Sequence, residues 1–120
     1  MKKILIVDDD PTARQVLNAQ LKREYQIVMT GDAMAAFTEA RKQQPDLIIL
    51  DLGLPAGGGF SVLQRLNTIP ALATIPVLVI SGLDRTANES KALGAGAAAY
   101  IQKPAQDAEL LATVKDLLGE

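Results

Sequence analysis

Acidic residues end two of the apolar runs in this chain. The run at 4–7 leads into three consecutive aspartates at 8–10, and the run at 47–50 leads into Asp51. If these runs are parallel strands, their carboxyl ends meet at one edge of a sheet, where open α/β sheets bind ligands. Clustered carboxylates at such an edge favour a hard divalent cation. The spacing therefore predicts a cation-binding crevice.

Two further apolar runs end at a hydroxyl and at an amine. The run at 75–80 leads into Ser81, and the run at 97–102 leads into Lys103 followed by Pro104. An X–Pro bond can adopt the cis form, and a cis bond here would aim the lysine into the crevice. Carboxylates, a hydroxyl, an amine and a divalent cation are together suited to phosphoryl transfer, in which a carboxylate can act as the nucleophile.

The composition limits which metals the chain could bind and which class of protein it could belong to. The 120 residues include no cysteine and no histidine, so a metal must be held by oxygen ligands, which favours Mg²⁺, Mn²⁺ or Ca²⁺. Hydrophobic residues make up 48%, charged residues 22%, and the net charge is −2. These values are typical of one globular domain, which we expect to span residues 1–120. They indicate neither a nucleic-acid nor a membrane surface.

The amino terminus does not have the pattern of a targeting segment. The basic residues Lys2 and Lys3 precede a short apolar stretch that ends at the aspartates. Such a stretch is too short for a signal peptide or a transmembrane helix. We therefore expect a cytoplasmic protein.

Segments of helical period alternate with the apolar runs. A short strand is predicted at 26–29, and continuous apolar runs are typical of strands that helices cover on both faces. Right-handed crossovers then favour an α/β fold with a doubly wound, five-stranded parallel sheet in the flavodoxin-like order 2-1-3-4-5. Five helices are predicted. The first extends from Asp10-Pro11 to near Glu24, and the other four begin after Asp32, after a flexible glycine loop at 57–59, after Asp84 and after Asp107. Asp107 is the predicted cap of the last helix.

The acidic residues also have simpler interpretations. Asp10 precedes Pro11 and is better explained as a helix cap. Asp51 alone could be a turn acceptor. The adjacent carboxylates of Asp8 and Asp9 repel one another, however, and a cation at the strand end would relieve that repulsion. Asp8 and Asp9 are therefore the predicted cation ligands.

Ser81 and Lys103 are ambiguous when each is taken alone. The first could be a turn hydroxyl and the second a solvated surface amine. They become informative together, because they follow Asp51 at intervals of 30 and 52 residues.

These intervals belong to a larger pattern. The chain resembles the receiver (response regulator) domain of two-component signalling, which has a CheY-like fold, from about Lys2 to Leu118. The combination is highly specific although no single part of it is. It is carried by Asp8, Asp9, Asp51, Pro55, Gly59, Ser81, Gly82, the segment 92–95, Tyr100, Lys103 and Pro104.

The resemblance implies a phosphorelay role. Asp51 would accept a phosphoryl group from a sensor histidine kinase or a histidine phosphotransfer protein. Asp8, Asp9 and Asp51 would bind Mg²⁺, for which Mn²⁺ could substitute, and the Gly53 carbonyl would add a ligand. The identity of the kinase is not encoded in these residues, since partner choice depends on the first helix and nearby loops.

The resemblance also implies how the domain would switch. Ser81 and Lys103 would contact phosphoryl oxygens, and Ser81 would move toward them after phosphorylation. Tyr100 would rotate inward and change the surface of the fourth helix, fifth strand and fifth helix, toward an unknown effector or output domain. A plain strand aromatic is the alternative for Tyr100. The domain would then be a signalling switch that turns over no external metabolite.

Several positions depart from the family's pattern. Many relatives have an acidic residue or asparagine at the position of Gly58, and glycine has the largest backbone freedom. The loop at 57–59 is therefore predicted to be mobile before phosphorylation.

Other departures concern association and lifetime. Ala98 and Ala99 replace an acidic pair that contributes to charged dimers in the transcription-factor branch, and Ala105 replaces an aromatic residue. We therefore expect a monomer or weak dimer before phosphorylation. Gly53 and Leu83 offer no group to position an attacking water, so specially rapid self-dephosphorylation is not expected.

Three other function classes are weaker explanations. A haloacid dehalogenase-type phosphohydrolase needs a second aspartate two residues after its nucleophile, where this chain has Gly53, and it needs room for a cap domain. A pseudo-receiver usually lacks part of the acidic cluster or the lysine. A flavodoxin-like electron carrier needs aromatic residues around its flavin, and this chain has 3% aromatic residues and no tryptophan.

Overall fold

Five strands alternate with five helices in the computed structural model, which describes residues 1–55 and 58–120. The strands are β1 (Lys3–Val7), β2 (Gln26–Thr30), β3 (Leu47–Leu50), β4 (Val77–Ser81) and β5 (Ala99–Gln102). The helices are α1 (Pro11–Leu21), α2 (Ala33–Gln43), α3 (Gly58–Thr68), α4 (Arg85–Gly94) and α5 (Asp107–Leu117). None of the helices in these two ranges is long and apolar enough to cross a bilayer.

The strands form one parallel sheet in the order β2-β1-β3-β4-β5. This order confirms the predicted doubly wound fold. Strands β1 and β3 are neighbours, and their last residues, Val7 and Leu50, pair in register. The residues that follow them, Asp8 and Asp51, therefore emerge side by side at the carboxyl edge of the sheet.

Two apolar layers hold the sheet. Alternate strand residues such as Leu5 and Val7 pack with buried residues of α2, α3 and α4. The residues between them, such as Ile4 and Ile6, pack with α1 and α5. Full burial of one large aliphatic side chain contributes about 1.5–3 kcal/mol. The strand ends that carry the polar residues are thus fixed by burial on both faces.

Two helix boundaries differ from the sequence-based expectation. Helix α1 ends at Leu21, three residues before Glu24. The prediction that Asp107 caps α5 is wrong, because Gln106 holds the cap position without a side-chain bond and Asp107 is the first helical residue. The Asp107 carboxylate instead accepts a hydrogen bond from Gln20 of α1. It therefore ties two neighbouring helices together.

The prediction of a flexible loop at 57–59 is wrong for two of its three glycines. Gly58 and Gly59 form the first turn of α3, and Gly57 lies outside the described residues. A Cβ on Gly59 would lie 2.4 Å from the Cα of Leu52 and 2.7 Å from the carbonyl oxygen of Asp51. Glycine is therefore required here for close packing of α3 on the backbone that follows β3.

The Gly59→Ala substitution is expected to destabilise the domain by about 1–3 kcal/mol, because the added methyl group overlaps fixed backbone atoms. Urea unfolding of both proteins measures the difference. Gly94→Ala is the matched control, since a Cβ at Gly94 meets no atom within 4 Å and alanine favours the helix. Equal unfolding midpoints for Gly59→Ala and the wild type would contradict the packing argument.

Candidate functional site

Three carboxylates converge at the carboxyl edge of the sheet. One oxygen each of Asp8, Asp9 and Asp51 lies within 4.8 Å of the others. Asp8 and Asp51 are buried, whereas Asp9 is exposed, so the cluster opens to solvent on one side. An all-oxygen donor set of this kind fits Mg²⁺ or a similar hard cation.

Asp8 is held at several atoms. Its backbone amide donates to the carbonyl of Thr30 at 3.2 Å. Its Oδ1 accepts a hydrogen bond from the amide of Asp10 at 2.9 Å, and its Oδ2 accepts one from Lys103 Nζ at 2.9 Å. Because both oxygens are engaged, the buried carboxylate of Asp8 has a defined orientation.

Asp51, directly after β3, has polar neighbours at both carboxylate oxygens. Its Oδ1 accepts a hydrogen bond from the amide of Gly53 at 2.9 Å, and its Oδ2 lies 3.4 Å from Lys103 Nζ. Burial raises the pKa of Asp51, and the charge of Asp8 adds to that effect, while the Gly53 amide and Lys103 oppose it. The negative charge on Asp51 is therefore incompletely compensated by the protein itself.

Lys103 spans two of the carboxylates. Its peptide bond to Pro104 is cis, and its ammonium group contacts both Asp8 and Asp51. Burial alone would lower the pKa of Lys103, but the hydrogen bond to Asp8 and the charges of Asp51 and Asp8 raise it overall. Lys103 therefore carries a full positive charge between β1 and β3 at neutral pH.

Ser81 and Tyr100 both form a hydrogen bond to the backbone of Leu83. Ser81 is fully buried, and its Oγ accepts a hydrogen bond from the amide of Leu83 at 3.0 Å. The Tyr100 hydroxyl donates to the carbonyl of Leu83 at 3.1 Å, and its ring lies in the core with only 4% exposed. The backbone of Leu83 therefore links the Ser81 hydroxyl to the Tyr100 hydroxyl.

Two further residues from the sequence analysis, Asp10 and Gly53, lie beside the carboxylate cluster. Asp10 is a helix cap, as expected, because its side chain accepts a hydrogen bond from the amide of Thr12 at 3.0 Å. Gly53 is exposed beside Asp51 and contributes its amide, while the ligand role of its carbonyl stays a prediction. The linking role of Leu83 was missed, because it uses backbone atoms that leave no trace in residue type.

Comparisons with known proteins agree with this geometry. The family model described as the response regulator receiver domain matches residues 4–115. The DNA-binding dual master transcriptional regulator RpaA of Synechocystis is 38% identical over 119 residues. That match covers 98% of this chain and 49% of the regulator, so the chain spans about half the length of this relative.

Solved structures give the same result. The BeF₃-activated receiver domain of Klebsiella pneumoniae RstA superposes with a TM-score of 0.90 at 29% identity, covering 99% of this chain and 100% of that one. The receiver domain of a sensor histidine kinase from Pseudomonas aeruginosa has a TM-score of 0.89 at 26% identity, covering 99% and 98%. The latter contains a magnesium ion coordinated in its active-site cleft.

Receiver domains are signalling switches that work with histidine kinases and output domains. The family match extends over nearly all of the sequence and includes every strand end described above. This chain therefore belongs to the response regulator receiver domain family.

Proposed function

We propose that this domain accepts a phosphoryl group on Asp51 from a phosphohistidine in a kinase or phosphotransfer protein, in a reaction that requires Mg²⁺. The observation that carries the proposal is the carboxylate cluster with Lys103 in contact with both Asp8 and Asp51. Asp8, Asp9 and Asp51 would hold the Mg²⁺, and Mn²⁺ would substitute because it takes the same oxygen ligands.

The transfer follows from the charges of the site. A carboxylate oxygen of Asp51 attacks the phosphorus, a P–O bond forms, and the P–N bond to the imidazole breaks with its electron pair passing to the imidazole nitrogen. When bound, Mg²⁺ supplies positive charge to the transferred phosphoryl oxygens. Lys103 supplies a second positive charge at a fixed position. Both favour the transition state over the separated reactants.

The bonds of Leu83 offer a path from this reaction to the surface. A phosphoryl oxygen near Asp51 would attract the Ser81 hydroxyl, which now accepts from the Leu83 amide. Reorientation of Ser81 would release that amide and shift the backbone to which Tyr100 is bonded. The surface of α4, β5 and α5 would change with it, which is a two-state element biased by a local charge event.

A groove beside the site is suited to the phosphoryl donor. It has a volume of about 390 Å³ and extends to Lys103, and Val16 in its lining is 54% exposed. A helical donor that places an apolar side chain there would bring its phosphohistidine toward Asp51. Most of the lining is apolar, from Ala13, Val16, Leu17, Ile80, Pro104 and Ala105.

Acetyl phosphate tests the proposal without a partner protein. With Mg²⁺ present, intact-protein mass spectrometry should detect one added phosphoryl group that hydroxylamine removes, as an acyl phosphate requires. With EDTA present, the addition should disappear. A protein that stays unmodified with Mg²⁺ and acetyl phosphate would refute the proposal and favour a pseudo-receiver.

The Ser81→Ala substitution is expected to separate phosphorylation from switching. The chain has two tyrosines and no tryptophan, so in a Tyr25→Phe background the intrinsic fluorescence reports on Tyr100 alone. Mg²⁺ with beryllofluoride should change that fluorescence, and Ser81→Ala should remove most of the change, while phosphoryl uptake should still be detectable by mass spectrometry because Asp51 and Lys103 are retained. Ser61→Ala, on the exposed face of α3, is the control. A full fluorescence response in Ser81→Ala would contradict the proposed path.

A further inference from the structure

Arg14 of α1 reaches the end of β1 without touching a carboxylate. Its Nη1 donates a hydrogen bond to the backbone carbonyl oxygen of Asp8 at 2.7 Å. The donor is a charged guanidinium, and hydrogen bonds from ionised donors are about twice as strong as neutral ones. The half-buried Arg14 side chain thus makes a strong, directional contact with the backbone of the acidic cluster.

A glycine provides the space for this guanidinium. A Cβ built on Gly31, directly after β2, would lie 2.8 Å from Arg14 Nη1 and 3.6 Å from its Cζ. Any larger residue at position 31 would therefore push the guanidinium away. Gly31 follows Thr30, whose carbonyl accepts the hydrogen bond from the Asp8 amide. Arg14 thus lies where α1, β1 and β2 meet.

The contact fixes the peptide that joins two of the proposed metal ligands. Asp8 is held at its amide by Thr30 and at its carbonyl by Arg14. The bonded carbonyl belongs to the Asp8–Asp9 peptide, whose plane sets the direction in which the Asp9 backbone leaves β1. Asp9 is exposed, and this backbone bond limits the directions that its carboxylate can take.

We infer that Arg14 is a positioning residue that orients the Asp8–Asp9 segment for Mg²⁺, and that glycine at position 31 leaves room for its guanidinium. The inference rests on the proposed function, because it assumes that Asp8 and Asp9 are ligands. Groups that orient metal ligands typically contribute tenfold to a hundredfold to metal affinity. Arg14 therefore acts on metal binding and leaves the transfer step to Asp51 and Lys103.

Mg²⁺ titration by calorimetry, without a phosphoryl donor, tests this role. Arg14→Ala should bind Mg²⁺ about tenfold more weakly than the wild type. At saturating Mg²⁺, its maximal rate of phosphorylation by acetyl phosphate should stay within about twofold of the wild-type rate. Arg23→Ala removes the same charge from an exposed residue after the carboxyl end of α1, and it should leave Mg²⁺ affinity unchanged.

Gly31→Ala provides an independent test of the same contact. The added methyl group should displace the guanidinium and weaken Mg²⁺ binding in the wild type, but it should have no further effect in Arg14→Ala. Equal Mg²⁺ affinity for Arg14→Ala and the wild type, or additive effects of the two substitutions, would overturn the inference. Urea unfolding of each variant measures its stability separately from its Mg²⁺ affinity. A substitution that only lowers the free energy of unfolding would leave the Mg²⁺ affinity of the folded protein unchanged.

Failure of the proposed function gives a different result. In that case the wild type itself would bind no Mg²⁺ and take up no phosphoryl group from acetyl phosphate. A wild type that binds Mg²⁺ and is phosphorylated, next to an Arg14→Ala variant with the same Mg²⁺ affinity, would refute the role of Arg14 alone.

Discussion

Asp51→Asn is expected to lose phosphoryl uptake from acetyl phosphate by at least about 10³-fold, because an amide oxygen is a far poorer nucleophile than a carboxylate. Intact-protein mass spectrometry over time, with Mg²⁺ present, measures the loss. The substitution keeps the shape of the side chain and one oxygen to accept the hydrogen bond that the Gly53 amide now gives. The loss would therefore come from the changed chemistry of residue 51, as nucleophile and as metal ligand, and not from a change in the shape of its side chain.

The same variant is expected to stay folded. The pKa of Asp51 is raised, chiefly by burial, so its ionised form destabilises the folded state as the pH rises above the unfolded value. At neutral pH and without Mg²⁺, the neutral asparagine removes this cost. The free energy of unfolding of Asp51→Asn should consequently equal or exceed that of the wild type.

Asp10→Asn is the matched control for this chemistry. Asp10 is in the same stretch of sequence as the cluster but caps α1 through its side chain, and asparagine caps a helix as well as aspartate does. Phosphoryl uptake should persist in Asp10→Asn. Equal loss in Asp10→Asn and Asp51→Asn, or wild-type uptake by Asp51→Asn, would contradict the assignment of Asp51.

Lys103→Met is expected to slow phosphoryl uptake by about 10²–10³-fold, because it removes a fixed positive charge that would stabilise the negative charge developing on the phosphoryl oxygens. Nζ of Lys103 lies 2.9 Å from Asp8 and 3.4 Å from Asp51. Its removal leaves two buried carboxylates without their cation, which should also lower stability by about 3–5 kcal/mol. Added Mg²⁺ should restore part of that stability, since it binds only the folded cluster.

Lys115→Met serves as the control for Lys103→Met. Lys115 pairs with Glu24 at 2.7 Å, but these side chains are 44% and 48% exposed. Exposed pairs of this kind contribute at most about 1 kcal/mol. Uptake should be normal in Lys115→Met. A Lys103→Met protein with the wild-type rate would contradict the role of the lysine in transfer.

Sheet order and the meeting of the acidic residues could be predicted from the sequence. Apolar runs such as 47–50 are continuous because helices cover both faces, and right-handed crossovers then leave few possible strand orders. Once β1 and β3 are neighbours, Asp8 and Asp51 must lie together. The positions of these side chains therefore follow from topology alone.

Features that depend on tertiary contacts could not be predicted. The packing of Gly59 on Leu52 turns an apparent loop into the start of α3, and the bond from Gln20 changes the role of Asp107. Arg14 was missed because its acceptor is a backbone carbonyl. Backbone acceptors occur at every residue, so residue type at the partner position carries no information about such a contact.

Chemical mapping of the phosphoryl group tests the central claim most directly. Protein phosphorylated with acetyl phosphate and Mg²⁺ is reduced with borohydride, which converts an aspartyl phosphate into homoserine, and is then digested and sequenced by tandem mass spectrometry. We predict homoserine at position 51 and none at Asp8, Asp9 or Asp10. Homoserine at one of those three positions, or unmodified aspartate throughout phosphorylated protein, would contradict the assignment of Asp51 as the acceptor.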